Sequence, residues 1–220
     1  HLMGYNLAMK EQLGQHTTER YWKEAVNNGL LRDLRQSRGR DENSSLGRTF
    51  EYLGFAYVQE QYADPKYLLT NPDETWRLRK ILTPEDYDLW QPRIPDGILF
   101  ERTASSKGLR LLNLVEYKVA NYRNVTQLRH QFDGYLNLID LLTHDKGSRG
   151  RGILKQVLHA PVPLLEKSPD IRCLYVTPSD RTAADVTTTL GGEDYFQEIH
   201  FPQTSQEIKR RMQELQRKRI

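Results

Sequence analysis

Cysteine is nearly missing from this chain. Cys173 is the only one, which rules out an internal disulfide and any cysteine-rich zinc site, and fits a reducing, cytoplasmic setting. Long apolar runs are missing too. The longest span a few residues, far short of the roughly 20 needed to cross a bilayer, so no membrane partner is expected. No segment resembles a secretory signal, and His1-Leu2-Met3-Gly4 reads as a cloning remnant. There is no Walker A loop, no G-x-G-x-x-G and no G-x-S-x-G elbow. His130, His144, His159 and His200 show no zinc-type i,i+4 pairing. Phosphate loops, dinucleotide folds, serine hydrolases and zincins are thereby excluded.

The chain that remains has 220 residues, 28% of them charged and 37% apolar, with a mean hydropathy of -0.74. It is polar, yet too apolar and too periodic for a disordered chain. We read residues 5–220 as one domain, with a core over about 44–180, an insertion over about 62–93 and a basic C-terminal helix over about 204–219. The net charge is +3, unevenly placed. Gln203–Ile220 carries +4 and the remainder about -1. Such a helix suits a phosphate backbone, or is a solvated helix face.

Periodicity predicts the elements. A helix is expected from about Thr18 to Gln36, then a polar break over Ser37–Ser45, then a stronger helix over Leu46–Gln61. In the latter, Leu46, Phe50, Leu53 and Tyr57 share one face. Asn71-Pro72 and Thr83-Pro84 are helix starts, each a capping residue before a proline. Ile94–Glu101 and Arg110–Ala120 are strands joined by a hairpin loop over Arg102–Leu109. A long helix follows with Leu128, Phe132, Tyr135, Ile139 and Leu142 in register, started by Asn124 or Thr126. Gly147–Gly152 reads as a flexible basic loop. The proline-bearing Ala160–Leu165 is not a central strand, whereas Ile171–Thr177 is a buried one, and Tyr195–Phe201 is a further strand after a short helix. Thr204 and Glu207 form a capping box opening the last helix. The sum is a mixed α/β domain.

Paired positions in an antiparallel hairpin keep a constant index sum. A loop centred near residues 105–106 gives about 211, and Asp96 and Glu116 sum to 212. The two acids therefore lie opposite each other, or within one residue of it, where like charges repel. Lys118, two residues on, points to the same face as Glu116. Either Lys118 or a hard cation such as Mg²⁺, which prefers oxygen donors, offsets the repulsion. Glu116 and Lys118 sit in the apolar run Leu111–Ala120, where charges are costly unless paired or bound. The plainer readings are a Pro-Asp-Gly turn for Asp96 and a surface ion pair for Glu116 and Lys118.

Pro95-Asp96-Gly97 followed by Glu116-Tyr117-Lys118 resembles the PD-(D/E)XK nuclease superfamily. Glu51, in Gly47-Arg48-Thr49-Phe50-Glu51, matches the acid that many members carry on the preceding helix. Gln131 to Tyr135 is similar to the Q-x-x-x-Y element of the RecB-like exonuclease branch, although Gly47 stands where that branch often has histidine. The resemblance spans about Leu46–Leu142, with Ile171–Thr177 as the next strand. It implies a restriction-endonuclease-like fold, an α-β-β-β-α-β core with a central mixed sheet flanked by helices. Only two strands are visible before the long helix, so a third must be hidden, within Val115–Ala120 or a longer bent Ile98–Phe100 strand. The resemblance further implies Mg²⁺-dependent hydrolysis of phosphodiester bonds, with Mn²⁺ as a substitute. Asp96, Glu116 and the Tyr117 carbonyl would ligate the metal. Lys118 would orient the water or stabilise charge, Glu51 would complete the acids, and Gln131 and Tyr135 would position water or nucleic acid. DNA is the default partner. A homodimer suits double-strand cutting. Arg129, Arg149, Arg151 and Lys155 are candidate phosphate contacts. The competing readings are a nucleic-acid-binding module that no longer cuts, and a structural protein whose acids and lysine form a plain salt bridge.

Overall fold

The computed structural model describes residues 18–36, 41–103, 108–119, 125–181 and 196–218, apart from the side chains at 125–129 and 145–146. The segment 1–4, the hairpin tip 104–107, the caps Asn124 and Thr126, the side chains of Leu128 and Arg129, the short helix before the last strand, and Tyr195 lie outside the described residues.

The described elements begin with α1 (residues 18–27) and α2 (Leu30–Gln36). They are two helices, not the single one expected, because Gly29 turns the chain at φ +108°. α3 (Glu42–Gln61) starts earlier than its apolar stripe suggested, since Asp41 caps it by accepting the Ser44 N–H. Next come β1 (Tyr67–Leu69), α4 (Pro72–Ile81) and α5 (Pro84–Trp90). Both helices start at the expected proline. Asn71 and Glu74 form a capping box on α4, and the Asp86 carboxylate takes the Thr83 N–H and hydroxyl on α5. β2 (Gly97–Arg102), β3 (Leu109–Tyr117), α6 (Val125–Leu158), β4 (Leu165–Pro178), β5 (Phe196–Phe201) and α7 (Ser205–Arg217) complete the order. The Thr204–Glu207 capping box is present.

The five strands form one sheet in sequence order. β1, β2 and β3 are antiparallel neighbours, while β4 and β5 run parallel to β3. The hidden third strand is thus β1, inside the segment read as an insertion. Three residues are too few for a period-2 signal, and β1 takes its place by pairing Leu68 with Phe100. Val115–Tyr117 and Ile98–Phe100 simply belong to β3 and β2.

Two cores sandwich the sheet. On one face α6, with help from α4, covers Ile98, Phe100, Leu111, Leu114 and Tyr175. On the other, α1, α3 and α7 cover Val115, Tyr117, Leu174 and Val176. A buried leucine or phenylalanine in such a core contributes about 1.5–3 kcal/mol relative to exposure.

The glycine-rich stretch Gly147–Gly152 is not a loop. It lies within α6, which bends where Gly147 adopts φ +74°. The bend seats Gly150 against the Leu142 carbonyl, at a spot a methyl group would overlap at 1.8 Å. Tertiary packing of Ile153, Leu154 and Val157 overrides the weak helix propensity of glycine. Among the described residues no helix is long and apolar enough to cross a membrane.

Candidate functional site

The ladder between β2 and β3 sets the site. Phe100 pairs with Leu111 and Leu99 with Asn113, so Leu112 is an extra, bulged residue. A bulge changes which face the following residues occupy. Before it Leu109 and Leu111 face α6; after it Leu114 does, and Glu116 follows by alternation. Without the bulge Glu116 would turn toward α3.

Beyond the bulge, Gly97 pairs with Val115. One step further, Asp96 lies opposite Glu116, and its Oδ2 accepts the Tyr117 N–H at 3.0 Å. The Asp96 carbonyl accepts the Thr75 hydroxyl at 3.0 Å, so α4 fixes its backbone. Arg79, one turn along α4, brings its guanidinium to 3.7 Å from Asp96 Oδ1. Thr75 and Arg79 carry no motif in the sequence. Their role depends on where α4 packs, which local pattern does not reveal.

Glu116 is only 1% exposed. Its Oε1 receives Lys118 Nζ at 2.5 Å and Gln131 Nε2 at 2.9 Å, and its Oε2 receives the Tyr135 hydroxyl at 2.5 Å. Gln131 also bonds Tyr135. One turn of α6 therefore presents two donors to one carboxylate, as i,i+4 spacing permits. Charge-assisted bonds of this kind make the burial of an anion tolerable.

Glu51 approaches from α3, on the other side of the sheet, paired with Arg48. Burial first, then Glu116, raises its pKa against the pull of Arg48 and Arg79. Asp96 is held well above the ordinary carboxylate range, by burial first and then by Glu116 and Glu51, with Lys118 and the Tyr117 N–H opposing. The three carboxyl groups thus share one electrostatic environment. Gly54, on α3, lies flat against the Tyr117 ring, where a Cβ would come within 2.3 Å of Cδ1. On the opposite face Arg93 donates its N–H to the Gly134 carbonyl at 2.8 Å, and a Cβ on Gly134 would meet Arg93 Cγ at 2.1 Å.

These donors suit a hard cation: carboxylate oxygens, and the Tyr117 carbonyl on the side of the strand that its N–H turns toward Asp96. Mutual repulsion of buried carboxyl groups is what a cation would relieve. In the packing described, Lys118 and Gln131 fill Glu116 Oε1, and no three His, Cys, Asp or Glu side chains among the described residues are grouped in ligating geometry. A cation at Glu116 would therefore displace the Lys118 ammonium.

The structure brings Asp96, Glu116, Tyr117, Lys118, Gln131 and Tyr135 together and sets Glu51 beside them. Two of the other expected contacts are otherwise engaged. Arg149 pairs with the buried Asp86, and Arg151 donates to the Pro163 carbonyl. On α7, Lys209 pairs with Glu42 and Arg211 with Glu19, each at 2.7 Å, while Ile208 and Met212 are buried. That helix spends much of its charge within the fold. No protein-family model, curated protein or solved structure matches this chain.

Proposed function

We propose that this chain is a metal-dependent nuclease of the PD-(D/E)XK type, hydrolysing phosphodiester bonds, with DNA as its first candidate substrate. One observation carries the reading. Asp96, just before β2, lies opposite Glu116 at the end of β3, with Lys118 Nζ 2.5 Å from Glu116 Oε1. The element order α3-β1-α4-α5-β2-β3-α6-β4 supports it, because with the two helices between β1 and β2 taken as an insertion it follows the α-β-β-β-α-β order of that superfamily.

Mg²⁺ held by Asp96 and Glu116 would acidify a bound water and offset charge developing on the phosphate. The chain's own residues do the rest. Lys118, released from Glu116, carries a positive charge toward the reacting phosphate. Gln131 and Tyr135 hold Glu116 in one orientation, and the Tyr117 N–H holds Asp96. Glu51 adds a carboxylate from α3 to the same environment.

The test uses supercoiled plasmid, linear duplex, single-stranded DNA and structured RNA, each with Mg²⁺, Mn²⁺ or EDTA. Asp96→Asn and Glu116→Gln serve as isosteric controls. Metal-dependent cleavage lost in both variants is expected. Mg²⁺ should also stabilise the wild type, by about 2.7 kcal/mol at a hundredfold excess over Kd, and so raise its melting temperature. Neither cleavage nor metal stabilisation in the wild type would overturn the proposal.

A further inference from the structure

A cleft opens beside the acids. It encloses about 520 Å³, and Glu51 and Arg48 from α3 share its lining with Trp76, Arg77 and Arg79 from α4. We infer that this cleft is a single-strand-binding channel leading to the acid site, in which one base stacks on Trp76 and the adjoining phosphates lie on Arg77 and Arg79. The inference rests on the nuclease reading for its substrate class and adds the strandedness.

Trp76 motivates it. It is 50% exposed, on a helix whose Leu78 and flanking Leu82 are buried and whose Ile81 is half-buried. Lys80 Nζ stands 3.5 Å over the ring's centroid. One face of the indole is thus taken by a cation, as cation–π attraction favours, while its lining position leaves the ring in the cleft. Bases have π-faces whatever their sequence, and stacking on an exposed aromatic is how single strands are held without sequence preference. In a duplex those faces are stacked on one another.

The cations in the cleft divide into two groups. Arg32 binds Asp73 at 2.8 Å, and Arg48 binds Asp33 at 2.8 Å and also Glu51. Those pairs spend two arginines on the cleft's three acids, Asp33, Glu51 and Asp73. Arg77 donates to the Val157 carbonyl at 3.3 Å, a neutral partner that leaves its charge to act on a phosphate, and Arg79 donates to the Ile94 carbonyl at 3.4 Å. Arg79 also stands 3.7 Å from Asp96 Oδ1. A phosphate seated on it is therefore next to the carboxyl group proposed to hold the metal.

The experiment measures binding, not cleavage. Fluorescein-labelled oligo(dT), oligo(U) and a mixed-sequence duplex of equal length are titrated with the full chain in EDTA, reading anisotropy. Wild type, Trp76→Ala, Trp76→Phe and, as an exposed control on α5, Leu89→Ala are compared. Trp76→Ala should weaken single-strand binding about tenfold, the loss of one base stack. Trp76→Phe should restore most of it, and Leu89→Ala should change nothing. Duplex affinity should move less than twofold in any variant. The arms with oligo(dT) and oligo(U) show whether DNA, RNA or both enter. Equal losses on duplex and single strand, no loss in Trp76→Ala, or no binding of either oligonucleotide by the wild type would each overturn the inference. Plasmid cleavage is scored separately, so a cutting enzyme indifferent to Trp76 removes this inference alone, and a Trp76-dependent binder that never cuts removes the catalytic reading alone.

Discussion

The Tyr135 hydroxyl donates to Glu116 Oε2 at 2.5 Å, in a setting where Tyr135 and Glu116 are each 1% exposed. A buried carboxylate oxygen that loses its donor keeps its desolvation cost. Tyr135→Phe, which removes one oxygen and leaves the ring in the core, should destabilise the protein by about 1–3 kcal/mol. It should also lower the cleavage rate, because Glu116 is freed to rotate. Urea unfolding of the two proteins checks the first part, and equal midpoints would mean that the hydroxyl is idle.

Asp96 makes the fold respond to pH. A carboxyl group whose pKa is higher folded than unfolded binds its proton more tightly in the native state. Stability then falls as pH rises above the unfolded value of about 4. Asp96 and Glu51 are both raised, so in EDTA the melting temperature should decline as pH rises above about 4, in excess of any screening effect. Asp96→Asn cannot ionise. It should flatten that slope and melt a few degrees higher at the upper pH. A slope left unchanged by the substitution would remove Asp96 as its source.

Lys118 and Glu116 should behave as one unit. Lys118→Met leaves Glu116 buried without its cation and should cost about 3–5 kcal/mol. Glu116→Gln in that background removes the stranded charge, so the double variant should recover a large part of the loss, with a coupling of about 0.5–3 kcal/mol. Neither single variant nor the double should cleave. Additive effects on stability would show that the 2.5 Å contact contributes little.

Gly54→Ala tests how closely α3 must approach β3. The added methyl would stand 2.3 Å from the Tyr117 ring, and Tyr117 lies between Glu116 and Lys118. Overpacking of a tight core costs about 1–3 kcal/mol, and the ring's displacement should reduce cleavage more than the stability loss explains. Gly47→Ala, on the same helix with open space around its Cβ, is the control and should be neutral or slightly stabilising.

Some of this geometry is legible in the chain and some is not. The index-sum argument places Asp96 opposite Glu116 because hairpin pairing is local. A loop centred near 105–106 gives about 211, and the ladder runs at that sum from Leu109 to Leu111, then shifts by one to 212 at the Leu112 bulge. The capping residues Asn71, Thr83 and Thr204 are likewise visible, since a cap satisfies its own helix. β1 is not visible, because three residues acquire strand geometry only from β2. The Gly147–Gly152 segment misleads, because its helix is held by Leu142 and the β4 start rather than by propensity. Thr75, Arg79 and Trp76 go unmarked for the same reason: their importance lies in where α4 lands.

The two close approaches, Gly54 on Tyr117 and Gly134 on Arg93, act from opposite faces of the sheet like the jaws of a calliper. Each jaw is gauged by a methyl group that is not there. One fixes how near α3 brings Glu51, and the other how near α6 brings Gln131 and Tyr135 to the chain entering Asp96. Chains that share this fold could exchange many core residues of similar volume and keep the gap. A side chain at either glycine would open it, so the spacing of the acids is written at two positions that carry no chemistry of their own.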